Sequence, residues 1–201
     1  MDWNSFGSSI TGAILGGLIA GLFALIAVRR SSESQKEQST ENEAKIIKGL
    51  LQAIHDEIET VFDRYQETMG AYLDSLESEK PLLMYYPVVS DFFTVYNGNS
   101  FLIGRIPDHD LRKQIIKTYT LSKGMVDSFR MNNDLVAKYD FAEKLFAETG
   151  LGAHQNQAVA LYTTLVRYAA SLKESHKTLK QEVSSLLRQL RKKGVLSENA
   201  N

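Results

Sequence analysis

The sequence lacks cysteine and contains little proline or tryptophan. Its 201 residues include no cysteine, three prolines and one tryptophan. Without cysteine there are no disulfides and no thiolate metal ligands, which fits a cytosolic domain. The net charge of −1 and the pI near 6.4 exclude a general electrostatic attraction to nucleic acid. Length and composition therefore predict one soluble domain without disulfides or thiolate metal sites.

Charge is also absent from residues 10–28, which read ITGAILGGLIAGLFALIAV. A helix of this length covers about 28 Å, close to the hydrocarbon core of a bilayer. A cleaved signal peptide would begin with positive charge. Here the only charged side chain before the run is Asp2, and the first basic residue, Arg29, follows it. A soluble core helix would disfavour so many glycines. The run predicts one transmembrane helix.

The charges that flank this run predict its orientation and the domain order. Arg29, Arg30 and Lys36 all follow it, and basic residues stay on the cytoplasmic side. We therefore expect a single-pass membrane protein with its N-terminus outside and its large domain in the cytoplasm. The predicted parts are an extracytoplasmic N-terminus (1–9), a transmembrane helix (10–28), a polar linker (29–43), a cytosolic helical bundle (44–194) and a disordered tail (195–201). The linker has no apolar residue to bury, so it is either a helical stalk or a flexible tether.

Small residues recur every fourth position in the predicted span. Such spacing lets two helix backbones approach closely, which drives association in lipid. It therefore predicts a homo-oligomer that forms through the span, although small residues are also common in membrane helices for other reasons. The predicted contact positions are Ser8, Gly12, Gly16 and Ala20, with Gly17 and Gly21 beside them.

Apolar residues return with helical spacing in the rest of the chain. Three long stripes run from Ile47 to Leu76, from Leu111 to Phe146 and from Leu161 to Leu190, with residues three or four apart. Asp108 is suited to cap the second of these helices, and Gly150 to end it. The pattern predicts an all-α fold, in which three long antiparallel helices and one short helix at about 91–104 form a bundle. The acidic first helix and the basic end of the last helix should be neighbours.

The sequence contains no recognisable catalytic or metal-binding motif. His55, Asp56, Glu57 and Glu59 are the densest titratable group, but their spacing does not project ligands toward the core, and we interpret them as a solvated face. No nucleophile motif or phosphate-binding loop is present. Basic residues at the end of the last helix match the helix dipole, so direct binding of nucleic acid is not expected. We expect no enzyme activity and no cofactor.

Polar residues on the apolar face of the second long helix are the candidate binding site. Thr118, Ser122 and Asn133 fall on this face, with Lys123 and Arg130 at its margin. Buried polar groups need partners. These partners are one another, Asn97 or Asn99, or a ligand. The candidate ligand- or partner-binding residues are therefore Asn97, Asn99, Ser122, Lys123, Arg130 and Asn133, and an internal hydrogen-bond network is the alternative.

Several sequence blocks lie around these positions. They are YYPV (85–88), DFFTVYNGN (91–99), IGRIPD (103–108), LRKQIIKTY (111–119) and DSFRMNND (127–134). With the N-terminal glycine-rich run, they resemble an uncharacterised family of bacterial single-pass membrane-anchored helical proteins, which implies a location in the bacterial inner membrane. The resemblance covers most of the chain but implies no catalytic motif. More generally, the layout is similar to that of small membrane effectors of anti-phage systems of the retron type.

These observations predict a non-enzymatic, membrane-tethered interaction or effector protein. The resemblance implies that it is a membrane-acting component of an anti-phage system, with a partner protein encoded nearby. The alternative is a membrane-anchored sensor that binds a small ligand, such as a nucleotide signal, among the polar residues within the bundle.

Overall fold

The computed structural model describes residues 3–88 and 92–192, without the side chains of 3–24 and 26. Every regular element in this part of the chain is helical, which confirms the predicted all-α class and the bundle of long helices. The elements are α1 (Trp3–Tyr65), a π-helix (Gln66–Gly70), α2 (Ala71–Ser75), α3 (Thr94–Gly98), α4 (Ser100–Gly104), α5 (His109–Thr149) and α6 (Gly152–Lys192).

The chain divides into two compact units, Met1–Ile46 and Ile47–Asn201. In the first unit, residues 29–43 are helical and exposed, so the polar linker is a stalk rather than a flexible tether. Local contacts support this helix: the Thr40 hydroxyl donates to the Lys36 carbonyl at 2.8 Å, and Lys45 pairs with Glu41 at 2.8 Å. The nearby ammonium lowers the pKa of Glu41.

The predicted membrane span lies almost entirely outside the described side chains, which include only Leu25, Ala27 and Val28 of residues 10–28. Where residues are described, no helix contains a stretch long and apolar enough to cross a bilayer. The tail at 195–201 also lies outside the described residues. The side chains of the predicted self-association positions Ser8, Gly12, Gly16, Gly17, Ala20 and Gly21 also lie outside the described part of the chain.

In the second unit, α5 and α6 form an antiparallel hairpin. Lys117 pairs with Glu182 at 2.5 Å, whereas farther along α5 the Ser128 carbonyl accepts a hydrogen bond from Tyr168 at 3.2 Å. The residue numbers rise on one helix while they fall on the other. The buried side of α6 repeats with alternating steps of four and three, which is the spacing of a coiled-coil seam. It comprises Leu165, Ala169, Leu172, His176, Leu179, Val183, Leu186 and Leu190.

The α5 helix begins and ends as the sequence predicts. The Asp108 carboxylate accepts a hydrogen bond from the backbone N–H of Leu111 at 2.9 Å, a cap that contributes about 1 kcal/mol in typical helices. At the other end, Gly150 has a φ of 64°, and its N–H donates to the Phe146 carbonyl. Glycine reaches this left-handed conformation without steric cost, so the helix stops there.

Helices α1 and α5 run parallel, so the predicted all-antiparallel arrangement is wrong for this pair. Glu57 contacts Tyr119, and Tyr65 packs against Phe129, so the residue numbers rise together on both helices. The reason is the connector at 76–108. It returns the chain alongside α5 to the end of the bundle at which α5 begins. Its buried Leu82 lies beside Asn132. A return crossover of this length allows parallel neighbours, which a short turn would not.

The π-helix changes which residues of the first stripe are buried. Met69 is fully buried, but the next buried hydrophobic side chain is Leu73, whereas Tyr72 is 36% exposed. A π-helical turn contains an extra residue, so the apolar face moves by about one position along the chain. A regular helical period therefore predicts the face correctly from Ile47 to Met69 and incorrectly at Tyr72.

The short helix predicted at 91–104 is present as two helices, α3 and α4, separated by Asn99. Either Ser90 or Asp91 is suited by sequence to cap such a helix, and both lie outside the described residues. α3 instead follows Phe93, whose φ of 70° places a bulky residue in the left-handed region. That conformation costs roughly 1–2 kcal/mol, which the burial of the Phe93 ring helps to offset.

The predicted proximity of the acidic first helix and the basic last helix is confirmed. Arg191 on α6 pairs with Glu59 on α1 at 2.5 Å, and Lys180 pairs with Asp74 on α2 at 2.8 Å. All four side chains are partly exposed, so each pair contributes less than about 1 kcal/mol. The pairs favour this register without supplying most of the stability.

Candidate functional site

A cavity of about 450 Å³ lies between α1, α5, α6 and the connector. Its volume falls in the range of about 300–1,000 Å³ that is typical of small-ligand pockets. The wall is mostly aromatic and aliphatic, which favours an apolar ligand. The residues that line it from α5 and α6 are Ser122, Met125, Val126, Phe129, Leu179 and Val183.

The one cationic side chain among the described residues that line this cavity is on α1. Thr60, Arg64 and Thr68 are spaced four residues apart along one helix face, and all three line the cavity. The Thr68 hydroxyl donates to the Arg64 carbonyl at 2.9 Å. The Arg64 guanidinium and the Thr60 hydroxyl are exposed and have no hydrogen-bond or ion-pair partner among the described residues. The edge of the cavity therefore has two free donor groups.

A chain of hydrogen bonds leads from the cavity wall to the surface. Tyr65 lines the cavity, and its hydroxyl lies 2.7 Å from Nδ1 of the buried His176. The Nε2 of His176 lies 3.1 Å from Asp74, which also accepts hydrogen bonds from Lys180 and Gln66. Because a carboxylate only accepts, His176 donates to Asp74 through Nε2, and in the neutral imidazole with this tautomer Nδ1 is the acceptor for the tyrosine hydroxyl. In that tautomer the hydrogen bonds run from Tyr65 through His176 to Asp74.

The surroundings favour a protonated group at one end of these hydrogen bonds, Tyr65, and an ionised group at the other, Asp74. Burial, followed by the nearby Tyr86 and Asp74, raises the pKa of Tyr65, so its phenol stays protonated. The hydrogen bond from Lys180, followed by the one from Gln66, lowers the pKa of Asp74 to about 2. The connectivity is that of a nucleophile, a base and an orienting carboxylate. However, the high pKa of Tyr65 favours its role as a hydrogen-bond donor that joins the end of α1 to α6.

The π-helix positions Gln66 within this group. The amide nitrogen of Gln66 donates to Asp74 at 2.9 Å, whereas its Oε1 is buried without a partner among the described atoms. A Cβ at Gly70 would lie 2.5 Å from this oxygen. Glycine therefore leaves the space that Gln66 occupies. π-helical turns are frequent at functional sites, and this one borders the cavity through Tyr65 and Thr68.

A second polar cluster centres on Glu57, which joins α1 to α3 and α5. Its carboxylate accepts hydrogen bonds from the backbone N–H groups of Val95 at 2.7 Å and Tyr96 at 3.2 Å, and from the Tyr119 hydroxyl at 2.7 Å. The first N–H groups of a helix have no partner within it, so Glu57 caps α3 from a different helix. Burial, followed by the hydrogen bond to Glu57, raises the pKa of Tyr119.

The candidate residues predicted from the sequence do not form a single site. Lys123 donates to Asn97 Oδ1 at 2.8 Å and lies 5.1 Å from the centre of the Tyr96 ring, so two candidates do meet at the surface. Asn99 uses its side-chain amide within the α3–α4 turn, where it donates to the Val95 carbonyl at 2.8 Å. Both asparagines therefore have local structural partners.

Two other candidates have different environments. Ser122 is buried, lines the cavity, and donates to the Thr118 carbonyl at 2.8 Å. Arg130 pairs with Asp127 at 2.9 Å on the exposed side of α5. Of these two candidates, only Ser122 is part of the cavity.

Asn133 is paired with the backbone of the connector. Its Oδ1 accepts from the Tyr86 N–H at 3.0 Å, and its Nδ2 donates to the Tyr86 carbonyl at 2.7 Å. The adjacent Asn132 is fully buried and donates to the Leu82 carbonyl at 3.1 Å. Asn133 therefore contacts the Tyr86 backbone and not Asn97 or Asn99, which were predicted as its possible partners. These bonds are internal and hold an extended segment against α5.

The interpretation of residues 55–59 as a solvated face is wrong for two of its members. His55 is only 2% exposed, and Arg191 donates to its Nε2 at 3.3 Å. Glu57 has the partners given above, whereas Asp56 is exposed as expected. The described residues contain no group of three or more side chains that could hold a metal ion. The arrangement around His55 joins α1 to α6.

The sequence did contain a signal for the hydrogen bond between Tyr65 and His176 beside the cavity. Tyr65 and His176 both fall on the apolar stripes of their helices, where a titratable or hydroxyl group needs an internal partner. Glu57 gave no such signal, because it lies beside the stripe formed by Ile54 and Ile58. Its role depends on where the connector places α3, which the periodicity of α1 does not contain.

Comparison of the chain with protein-family models, curated proteins and solved structures found no match.

Proposed function

We propose that the chain is a membrane-tethered, non-enzymatic interaction protein whose helical bundle binds an apolar ligand. The cavity carries this proposal, because its size suits a small molecule and its wall is mostly apolar. A ligand there would contact α1, α5 and α6 together. Binding would therefore stabilise the packing of all three helices.

The geometry favours an apolar ligand over the nucleotide signal that the polar candidates suggested. Asn133 uses both ends of its amide to bind the Tyr86 backbone, and Ser122 donates to a carbonyl of its own helix. A nucleotide would have to displace these bonds, which would leave buried backbone groups without partners. An apolar molecule requires no such exchange.

The membrane part of the proposal comes from residues 10–28, which we propose to be the transmembrane helix. The basic residues that follow it favour an external N-terminus and a bundle in the bacterial cytoplasm. Reporter fusions after Asn201 test this orientation. A fusion to a cytoplasm-active reporter should give signal, and a fusion to a periplasm-active phosphatase should not. The opposite pattern would contradict the orientation, and recovery of the chain in the soluble fraction would contradict the tether.

The proposed output is an effect on the membrane through self-association of this span. The small residues at four-residue spacing support it, since they are suited to close helix contact. The resemblance to membrane effectors of retron-type systems supports a role in anti-phage defence, in which a partner encoded nearby supplies the trigger. If the neighbour supplies the trigger, its deletion should remove the phage resistance that this chain confers. Unchanged resistance would contradict the defence role.

Photo-crosslinking of the full chain tests the cavity. The chain in phosphatidylcholine nanodiscs is exposed to hexadecanol that carries a photoreactive diazirine, and mass spectrometry locates the label. We expect label on Met125, Phe129 and Val183. Val126→Trp places a large ring in the cavity and should abolish this label, whereas Val159→Trp, at an exposed position on α6, should not. Equal labelling of both variants would contradict the proposal.

A further inference from the structure

The edge of the cavity combines an apolar interior with a single unpaired cation. We infer that the ligand is a long-chain fatty acid, with its acyl chain among the apolar side chains and its carboxylate on Arg64. This inference rests on the proposed function, since it names the ligand class for the same cavity. It adds a defined head group and a residue that recognises it.

The interior is suited to one flexible hydrocarbon chain. Tyr86 and Phe129 lie with their rings 5.1 Å apart, and both line the cavity together with Met125. Aromatic and methionine side chains adapt to an irregular apolar ligand. The volume of about 450 Å³ lies toward the lower end of the small-ligand range, which favours one acyl chain over a two-chain lipid.

The edge is suited to a carboxylate. A guanidinium offers paired N–H groups that match the two oxygens of a carboxylate. Arg64 is free to do so, and Thr60, one turn before it on the same face, adds a free hydroxyl donor. The exposed Asp63 and Glu67 flank Arg64 along the chain and reduce the local positive potential. A monoanion is therefore favoured over a doubly charged phosphate.

The other polar groups of the cavity do not compete for the head group. The Tyr65 hydroxyl is hydrogen-bonded to Nδ1 of His176 at 2.7 Å, and the Ser122 hydroxyl donates to the Thr118 carbonyl. Thr68 donates to a carbonyl of its own helix, and the Tyr86 hydroxyl lies 3.5 Å from the Thr68 hydroxyl. The free donors are concentrated at Thr60 and Arg64. The carboxylate of the fatty acid should therefore lie at the exposed edge of the cavity, and its acyl chain should extend inward.

Two probes of equal length test this assignment. Palmitic acid and hexadecanol, each with the same diazirine, are crosslinked to the full chain in phosphatidylcholine nanodiscs, with unlabelled palmitate as competitor. Arg64→Gln should weaken labelling by the acid roughly tenfold, as expected for loss of a charge-assisted hydrogen bond, and should leave labelling by the alcohol unchanged. Arg130→Gln removes a surface arginine away from the cavity and is the matched control.

The outcomes separate the two proposals. If Val126→Trp abolishes both labels but Arg64→Gln changes neither, the cavity binds apolar molecules and the carboxylate assignment is wrong. If Val126→Trp changes neither label, the proposed function itself fails. If Arg64→Gln and Arg130→Gln weaken acid labelling equally, the effect comes from general surface charge, which also overturns the assignment. Circular dichroism of each variant checks that the helices remain folded.

Discussion

The Glu57 carboxylate on α1 lies 2.7 Å from the Tyr119 hydroxyl on α5, and this hydrogen bond joins two parallel helices. Tyr96 from α3 stacks on the same tyrosine with a ring-centre distance of 3.9 Å. Three elements that are distant in the chain therefore meet at one fully buried phenol. This junction fixes the connector, which in turn forms one side of the cavity.

Removal of either partner at this junction should destabilise the bundle. We expect Tyr119→Phe to lower the free energy of unfolding by about 1.5–3 kcal/mol, the range for a hydrogen bond to a charged group. Glu57→Ala should cost more, because the N–H groups of Val95 and Tyr96 also lose their acceptor. Urea unfolding of the full chain in detergent, followed by circular dichroism, measures both. Asp63→Ala, at an exposed site on α1, is the control. If Glu57→Ala lowers the free energy of unfolding no more than Tyr119→Phe does, the capping role is contradicted.

Asp74 should make stability depend on pH in the acidic range. Its pKa is lowered from 3.8 to about 2, first by the hydrogen bond from Lys180. A lowered pKa in the folded state means that the ionised form stabilises the fold above pH 4, and that this contribution is lost as the pH falls toward 2. The stability difference between the parent chain and Asp74→Asn should therefore shrink over that window. A difference that stays constant or grows as the pH falls would contradict this.

The connector should loosen when its asparagine contacts are removed. Asn133→Ala removes both bonds to the Tyr86 backbone and leaves a partly buried peptide group unsatisfied, at a cost of roughly 2–4 kcal/mol. Amide hydrogen exchange should accelerate at 82–88 before it does so in α6. Asn156→Ala, at an exposed position on α6, is the control. Equal exchange in the two variants would show that Asn133 does not hold the connector.

The span prediction is tested by filling the proposed helix contact. Gly12→Ile combined with Gly16→Ile places side chains where two backbones should nearly touch. Association should weaken by more than the ~0.6 kcal/mol that is typical of one interhelical hydrogen bond in membranes. Crosslinking in native membranes measures it, with Leu15→Ile and Leu22→Ile as controls. If the double variant crosslinks as well as the parent chain, the span does not mediate association.

The periodic parts of this fold could be predicted from the sequence, and the non-local parts could not. The spacing of apolar residues identified the long helices, and Asp108 and Gly150 identified the ends of α5, because these signals are local. The direction of α5 relative to α1 depends on the connector, whose extended residues 82–86 have no periodic signal. The exchange of Tyr72 for Leu73 depends on the π-helix, which the sequence does not reveal.

The candidate site shows the same division. Ser122 and Asn133 were correctly placed on the buried face of α5, because burial follows from helical spacing. Their partners were not predicted, since the Thr118 carbonyl and the Tyr86 backbone are selected by rotamer and by the path of the connector. Arg64 gave no signal, because an exposed arginine is common on any helix. Its significance depends on the cavity beside it, which exists only after three helices pack.

Hydrogen–deuterium exchange of the full chain in nanodiscs, with and without palmitate, most directly tests the claim that the bundle binds an apolar ligand. We expect slower exchange at 58–68, 122–129 and 179–183, which contain residues that line the cavity, and no change at 139–162, at the far end of the α5–α6 hairpin. The Val126→Trp variant should show no protection. Unchanged exchange at the cavity segments of the parent chain, or equal protection of the hairpin end, would contradict the account.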